Sequence, residues 1–243
     1  MIRIPRSLRS VSYKSVRQQL ASSTMTAAAS DSIALRVARP DELEQVREVL
    51  RRIYYPEEGI TVSYVHGKQH TLDDERFSLS FVEQGTVVLA EDAAAKKFIG
   101  VAIAGPIRPG DPDAMVEEAA TTETKKWGDI LKLLALLERT ADVCGRYELE
   151  QAYHLHILAV DPTYRGHALG QRLLQFHMDL AKQLGFKAIS GDFTSVFSVK
   201  LAEKLGMECI SQLALDEYRD EKGEKLFEPL DVHQVIKTCV KLL

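Results

Sequence analysis

Residues 153–170, Tyr-His-Leu-His-Ile-Leu-Ala-Val-Asp-Pro-Thr-Tyr-Arg-Gly-His-Ala-Leu-Gly, constrain the fold more than any other stretch. Residues 153–160 read as a buried strand, closed by the turn pair Asp161-Pro162. A short loop with Arg165 and Gly166 follows. Apolar residues then recur at helical spacing to Leu184, where Gly185 stops them. Such a junction suits an anion, because the first N–H groups of a helix lack partners and carry the positive end of its dipole. Small residues at Gly166, Ala168 and Gly170 let oxygen atoms approach the main chain, and Arg165 adds a guanidinium. These features alone specify an anion, not which one; a plain strand-to-helix turn can have the same composition.

The rest of the chain supplies helices interleaved with strands. Ile33–Val37 reads as a first strand, and Glu42 to Ile53 as a helix with Leu43, Val46, Leu50 and Ile53 on one face. Pro56 ends that helix, residues 57–71 read as a loop, and 72–83 as a second helix. Thr86–Ala90 and Phe98–Ala104 are paired strands. Pro106 to Glu118 reads as a flexible excursion, and Lys126 to Cys144 as a helix with a stripe of Ile130, Leu133, Leu134 and Leu137. Ala188–Asp192 is a strand, Ser198–Leu205 a short helix, and Cys209–Leu215 and Val232–Leu242 the last strands. Such an order predicts an α/β domain built on a mixed sheet.

Composition excludes several classes. At 243 residues and 45% apolar, the chain is long enough for one substantial core. The net charge of −4 advertises no nucleic-acid field and does not repel an amine. No apolar run reaches membrane-spanning length. Cys144, Cys209 and Cys239 are odd in number and scattered, which argues for a reducing compartment and against a disulfide framework or metal cluster. Residues 1–30 form a basic, serine-rich extension, disordered or a mitochondrial transit peptide, outside a domain of residues 31–243.

Arg165 to Gly170 resembles the R/Q-x-x-G/A-x-G/A loop of the GNAT superfamily of acyl-CoA N-acyltransferases. Leu158-Ala159-Val160-Asp161-Pro162 is similar to the end of that family's fourth strand. Thr194–Ser198 followed by Glu203-Lys204-Leu205-Gly206-Met207 is similar to its second signature. His154-Leu155-His156, and Tyr55-Pro56-Glu57-Glu58-Gly59-Ile60, resemble the insect arylalkylamine N-acetyltransferases. The resemblance covers roughly residues 33 to 243. It implies a single-domain, mostly antiparallel sheet that splays between its fourth and fifth strands, flanked by helices.

The same resemblance implies acetyl-CoA as co-substrate, held by Leu158, Ala159, Val160, Arg165, Gly166, His167, Ala168, Leu169, Gly170, Gln171 and Ser198. The acceptor it implies is a small primary amine, most like an arylalkylamine such as dopamine, serotonin, tyramine or tryptamine. A polyamine or peptide acceptor, or an acyl-CoA sensor without turnover, is the alternative. Transfer to an amine needs a base, because alkylammonium groups titrate near 10.4. Glu58 stands where insect enzymes carry their glutamate, with Glu57 one residue away; both also fit a solvated acidic loop. Gly59 departs from the usual proline. Thr194 and Ser198 match two hydroxyl positions, although helix capping suits the same residues. Ala202 stands where many relatives have a tyrosine acid, which shifts that role toward Ser198.

His154 and His156 share one strand face by alternation, as a proton relay or as hydrogen-bonded core residues. Tyr55, Glu58 and His156 are the expected acceptor contacts, and Trp127 is core or pocket wall. Ala168 costs about 1–2 kcal/mol if its backbone is left-handed. The expected partners are the amine and acetyl-CoA alone, with no metal, nucleic acid or membrane, for a monomer in the cytoplasm or, through its N-terminus, the mitochondrion.

Overall fold

A strand that carries two histidines and ends on Asp161-Pro162 needs neighbours on both edges, and it finds them unequally. The computed structural model describes residues 32–243. The expected transit or disordered segment lies outside the described residues. Seven strands form one sheet in the order β1-β2-β3-β4-β5-β7-β6. They are β1 (Ile33–Val37), β2 (Val87–Asp92), β3 (Lys97–Ile107), β4 (Ala152–Val160), β5 (Ala188–Phe193), β6 (Glu208–Ala214) and β7 (Val235–Leu242). All neighbours are antiparallel except β4 and β5, which run parallel.

The helices are α1 (Leu43–Val49), α2 (Gly59–Ser63), α3 (Leu72–Gln84), α4 (Asp111–Ala119), α5 (Lys125–Ala141), α6 (Val143–Arg146), α7 (Leu169–Gln183) and α8 (Val196–Lys204). One core lies under α7 and α8 and includes Leu173, Leu174, Met178, Tyr153 and Leu155. A second lies under α1 and α3 with Val46, Leu50, Phe81, Ile157 and Ala159. Burying each such aliphatic side chain contributes roughly 1.5–3 kcal/mol. α7 closes as its sequence predicts, on Gly185 at φ +84°.

Two details position the site. β4 pairs with β3 from Ala152 to Val160, but with β5 only over Tyr153–Leu155. Beyond Leu155 the two strands part, so one edge of residues 156–160 has no strand beside it. The parting begins at a β-bulge: Ile103 opposes Ile157 while Ala104 opposes Leu155, leaving His156 as the extra residue. After the bulge the faces exchange. Tyr153 and Leu155 pack toward α7, whereas Ile157 and Ala159 pack toward α1 and α3.

Several expectations change. Residues 57–71 are not wholly loop, because Glu58 caps α2 with its own carboxylate. Pro106–Glu118 is the end of β3 followed by α4, whose first turn carries Asp111 and Asp113 toward the helix dipole. Cys209 and Cys239, directly opposed on β6 and β7, form a disulfide. That corrects the expectation from odd number and scatter, which argued against a disulfide framework; spacing along the chain says nothing about strand register. Cys144 stays free and buried. Among the described residues, no helix is long and apolar enough to cross a membrane, and no group of three or more His, Cys, Asp or Glu could hold a metal ion.

Candidate active site

The first-helix segment does not run straight into the Pro56 turn. Leu50–Tyr54 is a π-helical turn in which the Tyr55 N–H donates to the Leu50 carbonyl at 3.0 Å. The widened turn sends Tyr55 into the core, where it stacks on His70 at 4.2 Å and donates to Ser78 Oγ at 3.2 Å. Tyr55 therefore does not line the acceptor cavity; Tyr54 does. The loop then returns through Glu58, whose carboxylate accepts from the N–H groups of Ile60 at 2.9 Å and Thr61 at 2.6 Å. These bonds fix the side chain at the end of α2.

Glu58 lines a cavity at the mouth of the β4–β5 parting, together with His154, His156, Thr194 and Ser198. The walls are Tyr54, Phe77 and Trp127. Asp74 and Asp192, which the sequence reading did not single out, also line it. Asp74 looks in sequence like a first-turn acid behind the Thr71 cap, and it is that as well: its N–H donates to Thr71 Oγ1 at 3.1 Å. Burial, with the Glu58 charge adding to it, pushes the Asp74 carboxyl up to about 8. Lys126 stands near both acids. It donates to the carbonyls of Thr61, Gly67 and Gln69 at 3.0, 2.7 and 2.9 Å, tying the acceptor loop to α5.

The two histidines differ. His154 Nδ1 lies 2.9 Å from Ser190 Oγ and its Nε2 3.7 Å from Asp192. His156, on the bulge, sits near Phe77 and Phe81, and its Nε2 has no hydrogen-bond partner among the described residues. Burial lowers both below the ordinary histidine range, His156 further, with the His154 charge opposing it too. Their rings are 4.9 Å apart. Simple alternation does not put them there, since a bulge intervenes.

Ser198 takes part in a reciprocal cap at the start of α8: its N–H donates to Ser195 Oγ and the Ser195 N–H donates to Ser198 Oγ, both at 3.2 Å. Its hydroxyl thus caps the helix, and the residue lines the cavity. His233, absent from the sequence reading, holds the Thr194 carbonyl at 2.9 Å through Nδ1. It also explains the glycine at 59. A Cβ there would lie 2.8 Å from His233 Nδ1 and 3.1 Å from Thr194 Oγ1. The space a side chain at 59 would need is taken by this histidine.

The loop between β4 and α7 has the backbone of an anion site. Gly166 and Ala168 both adopt left-handed backbone, at φ +84° and +58°. They lead into the start of α7, where no capping side chain on Ala168 occupies the first N–H groups. Arg165 donates from Nε to the Val160 carbonyl at 3.2 Å and from Nη2 to Glu57 at 2.5 Å. His167 lies exposed beside the loop, its Nδ1 3.1 Å from the Arg165 carbonyl. Leu169 is fully buried, which leaves only its main chain for a ligand. The edge of His156 to Val160 that faces away from β3, with Leu158 and Ala159 on it, has no strand beside it.

Comparison with known proteins gives the family. A family model described as Acetyltransferase (GNAT) family matches residues 43–207. The crystal structure of a mosquito arylalkylamine N-acetyltransferase like 5b is 91% identical, covers 87% of this chain and 100% of its own, and has a TM-score of 0.86. A Drosophila melanogaster polyamine N-acetyltransferase that forms N-acetylagmatine is 34% identical over 87% of this chain and 100% of its own, with a TM-score of 0.82. Arylalkylamine N-acetyltransferase 2 of Aedes aegypti, at 23% identity, 86% and 98% coverage and a TM-score of 0.78, shares the fold. The chain belongs to the GNAT family and is an acetyl-CoA-dependent N-acetyltransferase.

Proposed function

We propose that the acceptor is a small primary arylalkylamine and that Glu58 is the base for direct transfer. The observation that carries this is the convergence of Glu58, Thr194, Ser198 and both histidines on one cavity at the β4–β5 parting, walled by Tyr54, Phe77 and Trp127. The 91% identity to a protein named as arylalkylamine N-acetyltransferase-like supports the same class. Glu58 takes a proton from the bound ammonium, directly or through water. The neutral nitrogen then attacks the thioester carbonyl; the C–N bond forms as the C–S bond breaks. Proximity in a walled cavity supplies much of the acceleration. As sulfur departs, the second proton of the attacking nitrogen passes through the Ser198 or Thr194 hydroxyl to the thiolate, so that hydroxyl is restored, and main-chain N–H groups near Leu158 to Val160 serve the carbonyl oxygen.

A second reading rests on the charge of the same cavity. Glu58, Asp74 and Asp192 are more carboxyls than one ammonium needs. They suit a polyamine or agmatine, the class acetylated by the 34% identical Drosophila enzyme. Release of CoA from acetyl-CoA against tryptamine, dopamine, spermidine, agmatine and a lysine peptide separates the two. Arylalkylamine turnover that falls 10²–10⁴-fold in Glu58→Gln and partly recovers at high pH supports the first reading. Preference for spermidine or agmatine replaces the acceptor and keeps the mechanism. Acetyl-CoA binding without turnover on any amine makes the chain a sensor.

A further inference from the structure

Behind the acceptor cavity lies a second one of about 240 Å³. Its lining includes Arg108, Pro109 and Pro112, residues at the end of α5 and in α6, and His154, Asp192 and Thr238. His154 and Asp192 line both cavities, so the two are adjacent chambers separated by those side chains. The second chamber holds Glu138. The residue is partly exposed as a whole, yet burial, reinforced by the charges of Asp192 and Asp111, lifts its carboxyl to about 8. Among the described residues, no side-chain hydrogen bond or ion pair joins that carboxyl.

The nearby cations are committed elsewhere. Arg139 pairs with Asp113 at 2.6 Å, and Arg108 reaches Gln151 at 3.4 Å. Asp192 has the Thr238 hydroxyl on one oxygen at 2.6 Å and His154 at 3.7 Å from the other. The remaining lining includes Ile107, Ala141 and Val143, which suit methylene groups. A carboxyl without a partner among the described residues, in a chamber beside the first cavity, calls for a cation brought by the ligand.

We propose that this chamber is a subsite for the distal ammonium group of a di- or polycationic amine, with Glu138 and Asp192 as its acceptors and the reacting amine in the first cavity. The inference rests on the amine-acetyltransferase reading above and deepens its second branch. Glu138 then selects the length and charge of the acceptor without touching the reacting atoms. A neutral or monocationic amine would leave the chamber to water.

The test uses full-length enzyme with matched α,ω-diamines and n-alkylamines of four to twelve carbons, plus tryptamine, for wild type, Glu138→Gln and Glu138→Lys. Thermal melting monitors folding. The expected result is a chain length above which wild type prefers the diamine to its monoamine by tenfold or more. Glu138→Gln then raises KM for those diamines 5- to 50-fold, and Glu138→Lys more, while kcat and the monoamine and tryptamine values change less than twofold. Equal effects on diamines and monoamines, or no effect on either, overturn the subsite and leave the acceptor reading standing. Wild type inactive on every amine overturns the acceptor reading itself.

Discussion

Arg165 Nη2 donates to the Glu57 carboxylate at 2.5 Å, joining the anion loop before α7 to the acceptor loop before α2 across 108 residues of chain. Both side chains are about half exposed. The pair therefore contributes at most about 1 kcal/mol, and a phosphate can exchange for the carboxylate. Glu57→Gln should leave kcat unchanged and lower KM for acetyl-CoA about 1.5- to 5-fold, since it removes a competitor worth ~0.2–1 kcal/mol. Arg165→Ala should raise that KM by about tenfold. Steady-state kinetics with acetyl-CoA varied decides, and a large kcat loss in Glu57→Gln would transfer the base from Glu58 to Glu57.

Gly59 and His233 should behave as one unit. Gly59→Ala puts a methyl group 2.8 Å from His233 Nδ1 and so displaces the hydrogen bond to the Thr194 carbonyl. Destabilisation of about 1–3 kcal/mol is expected, with lower kcat because Glu58 caps the next residues. His233→Ala in the same chain should recover part of it, giving a coupling energy of about 0.5–3 kcal/mol in a double-mutant cycle read by denaturant unfolding. Additive effects would break the link.

Ala168 pays for its left-handed backbone at φ +58°. Ala168→Gly removes ~1–2 kcal/mol of strain and adds roughly 0.5–1 kcal/mol of unfolded-state entropy. The net expectation is a Tm higher by about 1–4 °C for a domain of this size, with KM for acetyl-CoA nearly unchanged. A lower Tm would show that the loop tolerates alanine without strain.

Stability should fall as pH rises through the range in which Asp74 and Glu138 keep their protons only in the fold. Their ordinary values are 3.8 and 4.5, and the fold lifts each to about 8. Between those limits the folded chain binds more protons than the unfolded one, so stability decreases with pH and levels off above about 8. Asp74 faces Glu58, Lys126, Ser78 and Tyr55; Glu138 faces Asp192 and Asp111. Asp74→Asn should flatten the decline and raise Tm at pH 8.5 by about 2–6 °C relative to wild type, with little change at pH 5. Calorimetric melts from pH 5 to 9 measure it.

Much of the frame was legible because its signals are local. Helical spacing over Leu169–Gln183, a stop at Gly185, and an apolar run ending on Asp161-Pro162 each depend on residues within a few turns of each other. The small residues of the anion loop follow that strand directly, whereas the loop that carries Glu58 could be placed next to it only through resemblance. Asp74 was hidden because a first-turn acid is what any helix start displays. Glu138 was hidden in an exposed-looking Glu-Arg pair near a helix end.

By itself, then, the sequence determined the element order, the strand–loop–helix anion site and the identity of the groups able to move a proton. Tertiary structure decided where those groups point. A single inserted residue at His156 exchanges the faces of β4, and a π turn at Leu50–Tyr54 turns Tyr55 inward and leaves Tyr54 at the cavity. Neither leaves a mark in composition, because each is set by register against a neighbouring strand or helix. Pairing of Cys209 with Cys239, and of Gly59 with His233, has the same origin. Periodicity fixes which side chains share a face within one element; only packing between elements fixes which faces meet.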